Sequence, residues 1–204
     1  MNLLTYLHTH FLTRAQLIDA AGCSDAELAA WQETGVMPRA SYRLALTLGC
    51  DSFFGHHDEA EHIEFYARGY PAWIGLLQGG ADAFGHFTRR YRARLQSLPL
   101  RSAAAKLNAD LDAHLRDEWN HFLAGTYGLC TRTGLPEQIA EKELAIAVIN
   151  ELTAAPDPDR VRLKQAVDLL DAASSPFAPH ERARSSRHRL VDQVRLRYGL
   201  AAVN

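Results

Sequence analysis

Cysteine is scarce: Cys23, Cys50 and Cys130 are the only three in 204 residues. An odd, widely spaced set builds neither a disulfide framework nor a zinc knuckle and fits a reducing cytoplasm. Long apolar runs are missing too, since none approaches the ~20 residues that a membrane-crossing helix needs. The opening MNLLTYLHTHFLTR has no basic flank and no small-residue cleavage site, so it does not read as a signal peptide. Charge of one sign is also lacking. Lys and Arg number 22 against 24 Asp and Glu, a net charge of -2, which exerts no global pull on nucleic acid or an anionic membrane. The chain has no G-K-[ST] phosphate loop, dinucleotide fingerprint, G-x-S-x-G or H-E-x-x-H motif, so neither a cofactor nor a catalytic residue is assigned. A cytoplasmic protein is expected, with no membrane partner and no motif that fixes an oligomeric state.

What is present is helical for most of its length. Leu3, Leu4, Leu7 and Phe11 recur at helical spacing and predict a first helix over residues 2–12. Thr13 with Gln16, and Ser24 with Glu27, are capping-box pairs opening two further short helices, separated by Gly22. Leu17, Ile18, Leu28 and Trp31 fall on their inner faces, and Gly35 and Pro38 close the second. Two capped helices with a glycine in the turn are a helix-turn-helix pattern. The period then changes to two: Leu44, Leu46 and Leu48 alternate with Arg43, Ala45 and Thr47, and Ile63 and Phe65 alternate near His62 and Tyr66. These read as a short hairpin, a wing, around a long loop GCDSFFGHHDEAE.

Beyond residue 68 the pattern is helical throughout. Expected helices run from Pro71 to Leu77, along the stripe Phe84, Phe87, Tyr91 and Leu95, and after Pro99 with Leu107, Leu111, Leu115, Trp119 and Phe122 inward. Three more open at Pro136, Pro158 and Pro179, and GTYGLCTRTG reads as a loop. The fold class is thus mainly α: a winged helix-turn-helix-like module over residues 1–67, then an all-helical bundle over residues 68–204.

At LTRAQLIDAAGCSDAELAAWQETGVMPRASYRL the chain resembles the helix-turn-helix of the MerR superfamily. Ala20, Ala21, Gly22, Ser24, Leu28, Trp31, Gly35, Pro38 and the Tyr42-Arg43-Leu44 entry to the wing carry the likeness. That resemblance covers about a sixth of the chain and implies a winged helix-turn-helix. A second resemblance, carried by FYARGYPAWI at 65–74 and EWNHFLAGTYGLCTRTGLPEQIAEKELA at 118–145, is to a group of uncharacterised bacterial proteins, the domain of unknown function numbered 6058. It implies a shared fold and no activity.

Two sets of residues could carry function. Nucleic-acid contact would fall to Arg14, Arg39 and Arg43. The reading helix, Ser24–Thr34, has no Lys or Arg and brings Asp25, Glu27 and Glu33, so the sequence favours a protein partner over DNA. The second set is a pocket or polar network. His114, Glu118 and His121 fall on one helical face at i, i+4 and i+7, beside a loop that supplies Tyr127, Cys130 and Arg132. Glu118-x-x-His121 has the spacing of carboxylate-bridged di-iron bundles but lacks the other required glutamates, and a hydrogen-bonded network without metal is expected. The function read from the sequence is non-enzymatic binding or regulation. A DNA-binding regulator and a metal-dependent enzyme built on the His/Glu face are the alternatives. Two arginine clusters, residues 89–101 and 182–197, read as solvated helix faces.

Overall fold

The computed structural model describes residues 2–201. Helix α1 (Leu3–His10) is capped by the Asn2 side chain and ends two residues earlier than the periodicity predicts. Phe11 leaves the helix to start a three-residue strand, β1 (Phe11–Thr13), which the sequence did not suggest. Both capping boxes form. Thr13 and Gln16 open α2 (Arg14–Ala21), and Ser24 and Glu27 open α3 (Asp25–Glu33). Gly22 sits at φ 62, a left-handed conformation that costs glycine nothing, and turns the chain between them.

The hairpin is far longer than expected. Strands β2 (Tyr42–Ser52) and β3 (Gly55–Ala67) pair antiparallel from Tyr42↔Phe65 to Ser52↔Gly55, leaving only Phe53 and Phe54 in the turn. The predicted long loop is therefore ladder. Its second strand reads GHHDEAEH, where no apolar alternation exists to betray a strand. Cross-strand and neighbouring pairs take its place: His56 contacts Asp51 at 2.8 Å and Asp58 at 3.1 Å. β1 adds to the other edge of β3, giving the order β1-β3-β2.

The rest of the described chain is helical. α4 (Tyr70–Gln78), α5 (Ala83–Ser97), α8 (Pro136–Thr153) and α9 (Arg160–Ala173) lie close to their expected positions. Three expectations are corrected. The helix after Pro99 begins only at Leu111, as α6 (Leu111–Leu123), because Asn108 donates back to the Ser102 and Ala104 carbonyls and folds the preceding segment into turns. The supposed loop GTYGLCTRTG contains the short helix α7 (Thr126–Cys130). The last expected helix is broken, with a wide turn at His188–Asp192 leading into α10 (Gln193–Tyr198).

Burial places the core. Trp73, Phe87, Phe122 and Tyr70 are fully buried and gather Leu17, Leu28 and Met37 from the N-terminal segment into the same cluster. Trp31 is half-buried against it. A second cluster joins α8, α9 and α10 through Val148, Leu163, Leu170 and Val194. A third, Tyr6, Leu7, Phe11, Phe65 and Ala178, lies under the sheet. No helix among the described residues is long and apolar enough to cross a membrane.

Candidate functional site

One face of α6 does bring polar side chains inward, though not all three of those expected. His114 and Glu118 are buried at 8% and 6% exposure, one turn apart, with His114 Nδ1 3.5 Å from Glu118 Oε1. His121 lies a turn further on and is exposed; its ring meets Tyr127 edge-on at 6.5 Å. The third inward group is Glu143 of α8, which sequence reasoning missed. His114, Glu118 and Glu143 offer ligand atoms within 4.8 Å of one another.

These groups already have partners. The Tyr91 hydroxyl lies 3.1 Å from His114 Nε2, and the Tyr127 hydroxyl donates to Glu118 Oε2. Lys106 donates to Glu143 Oε2 at 2.7 Å, and Lys142 approaches Oε1 at 3.4 Å while standing 5.8 Å from the Tyr127 ring centre. Burial, with the charge of Glu143 next, pushes the Glu118 carboxyl up to about 8, so it holds its proton at neutral pH. Burial also raises Glu143, but the charges of Lys142 and Lys106 outweigh it and hold that carboxylate below its ordinary range. Desolvation, then the charge of Lys106, lowers the His114 imidazole. The result is one ionised glutamate between two ammonium groups, beside a neutral glutamic acid and a neutral imidazole. A divalent cation here has to displace a proton from Glu118 and compete with Lys106 for Glu143. Burial pushes the Cys130 thiol up to about 11, so it stays protonated at neutral pH.

Tyr127 and Arg132, although five residues apart, serve different places. Tyr127 turns into the buried network, whereas Arg132 lines a cavity of about 350 Å³ with His10, Phe11, Arg68, Thr131, Ser175, Pro176 and Arg187.

The N-terminal arginines are largely engaged by acids. Arg14 donates to Asp25 at 2.6 Å, to Glu64 at 3.2 Å and to the Tyr66 hydroxyl at 3.2 Å. Arg43 pairs with Glu64 at 3.5 Å. Arg39 borders a shallow groove with Gln32, Glu33, Arg43 and Glu64. Many residues of the two downstream arginine clusters are also paired: Arg90 with Glu137, Arg94 with Glu141, and Arg195 with Asp168 and Asp171.

The family of unknown function DUF6058 matches residues 83–199, more than half of the chain, and the protein belongs to it. The matched segment runs from α5 through α10 and holds the whole Tyr91–His114–Glu118–Tyr127–Glu143 network with both lysines. It includes 118–145 and leaves 65–74 outside. No curated protein and no solved structure matches the chain.

Proposed function

We propose that this is a non-enzymatic binding protein whose N-terminal part, residues 1–67, is a MerR-like winged module that docks on a basic protein surface rather than on DNA. In this reading α2 and α3 are the helix-turn-helix and the β2–β3 ribbon is its wing.

The observation that carries the reading is the charge and exposure of the two surfaces such a module would present. On α3 the exposed residues are Asp25, Ala26, Glu27, Ala29, Ala30 and Glu33. Nothing there neutralises a phosphate, and phosphate neutralisation supplies most nonspecific DNA affinity. Residues 1–67 hold nine carboxylates against the three arginines Arg14, Arg39 and Arg43, and Arg14 and Arg43 are spent on Asp25 and Glu64. The ribbon is exposed on both faces from residue 47 to residue 62, and Phe53 and Phe54 at its tip are 97% and 96% exposed. A two-stranded ribbon with nothing against it is marginal in water. Two adjacent bare aromatics on an acidic arm suit a partner that offers an apolar recess ringed by Lys or Arg.

A photo-crosslinking residue placed at Ala29 of the full chain, in cells, tests the reading. The expected product is an adduct with a basic protein that disappears when Glu33→Lys and Glu61→Lys are combined. An adduct with nucleic acid, an adduct indifferent to the charge reversal, or none at all overturns it.

A further inference from the structure

Arg68 and Arg132 are brought together by two close backbone approaches. The segments Ala67–Tyr70 and Thr131–Leu135 press against each other, with Gly69 N donating to Thr133 O at 3.1 Å. A Cβ on Gly69 would sit 2.4 Å from that carbonyl oxygen, so only glycine permits the contact. Gly134 lies at φ 75, and a Cβ there would meet the Tyr70 ring at 2.7 Å. The far wall is fixed by an isolated bridge between Thr131 and Ser174, by Arg132 N donating to Ala173 O at 3.0 Å, and by Ser175 Oγ donating to Leu129 O at 2.6 Å.

The cavity, partly open to solvent, is positive and has no carboxylate in its lining: His10, Arg68, Arg132 and Arg187 stand there, Arg68 and Arg132 exposed, with Phe11 and Pro176 as apolar surface. Arg187 is neutralised from behind by Asp171. Arg68 and Arg132 are not paired with any carboxylate among the described residues. Each is steadied instead by a main-chain carbonyl, Arg68 by Thr9 O at 2.7 Å and Arg132 by Asp171 O at 3.3 Å. What sets these two apart is that both border one cavity whose lining offers no carboxylate to offset them. Their positive field, with burial as the larger cause, also lowers the His10 imidazole.

We infer that this cavity binds a small organic phosphate, its dianion held between Arg68 and Arg132 and its organic part against Phe11 and Pro176. Two uncompensated positive charges match a dianion better than a monocarboxylate. Planar guanidinium forks suit phosphate oxygens. A volume of about 350 Å³ leaves room beyond the phosphate itself. The inference is independent of the protein-docking reading: the cavity shares no residue with α3 or with the exposed part of the ribbon, His10 ending α1, Arg68 following β3, and Arg132 and Arg187 lying in the family segment.

Calorimetric titration of the full chain with phenyl phosphate, benzoate and phenol is the test. Phenyl phosphate is expected to bind, benzoate at least about tenfold more weakly, and phenol not at all. Arg68→Gln and Arg132→Gln are each expected to weaken phenyl phosphate about tenfold, the loss of a charge-assisted hydrogen-bond pair. Arg39→Gln, outside the cavity, leaves affinity unchanged. Arg68→Lys and Arg132→Lys, which keep the charge but not the fork, fall between wild type and the Gln variants. No heat with phenyl phosphate, equal affinity for benzoate, or undiminished binding in both Gln variants overturns the assignment.

Discussion

Replacing Glu118 by Gln isolates the most perturbed carboxyl of the buried network. Glu118 is buried beside Glu143 and titrates at about 8 in the fold, against 4.5 for an ordinary glutamate. Because the folded value is the higher one, the folded chain binds this proton more tightly. The associated stability is fully present below about pH 4.5 and is lost as the pH rises through about 8. His114 and Glu143 are shifted the other way, so their contributions are lost on acidification and are complete above the ordinary histidine range. The window from pH 7 to pH 8.5 therefore reports mainly on Glu118. With an unfolded carboxylate ionised throughout and a folded pKa of about 8, the loss across that window is about 1 kcal/mol. In a chain of this size that corresponds to about 2–4 °C in Tm. Gln keeps the neutral shape, can still accept from Tyr127 and has no carboxylate to ionise on unfolding, so Glu118→Gln should match wild type only near pH 4.5, already exceed it at pH 7, and exceed it by about a further 1 kcal/mol at pH 8.5. Thermal unfolding followed by circular dichroism in matched buffers gives the difference, in which other titrating groups cancel. Parallel Tm-against-pH curves for the two proteins would refute the reasoning.

Leu28→Ala removes a fully buried side chain of α3 and is expected to cost about 2–5 kcal/mol in urea unfolding, whereas Ala26→Ser on the exposed side costs less than about 0.5 kcal/mol. Elemental analysis of protein purified without chelator or affinity tag is expected to find no stoichiometric transition metal, since Lys106 and Lys142 already neutralise Glu143. One metal per chain, lost in His114→Ala, would turn the network into a metal centre.

The two short helices of the N-terminal segment were legible because their signals are local: Thr13-x-x-Gln16 and Ser24-x-x-Glu27 satisfy orphan backbone groups within a single turn. The ribbon was legible only where one face rests on the body. Tyr42, Leu44 and Ile63 alternate because they meet the small core under the sheet, but beyond residue 47 neither face is covered and the period-two signal vanishes. β1 is too short to show a period. The His114–Glu118 pair could be read from helical spacing, yet its outcome differs from that of His121 because His114 and Glu118 meet Glu143 and the Tyr91 and Tyr127 hydroxyls, which come from other elements, whereas His121 is exposed. Glu143 escaped notice although a clue was present: Glu141, Lys142 and Glu143 lie in a helix whose neighbours Ile139, Ala140, Leu144 and Ala145 are all buried. A charged run inside such a helix needs inward partners. The cavity was not readable at all. Arg132 was singled out with its loop, but His10, Arg68 and Arg187 come from remote segments that only the tertiary fold assembles.

The central claim is that an acidic winged module engages protein and not DNA. An electrophoretic shift assay of the full chain with a duplex library at low salt, where electrostatic attraction is least screened, tests it most directly. The account predicts no retarded complex beyond that of an ordinary acidic protein. A tight, sequence-selective complex abolished by Arg39→Ala with Arg43→Ala would contradict it.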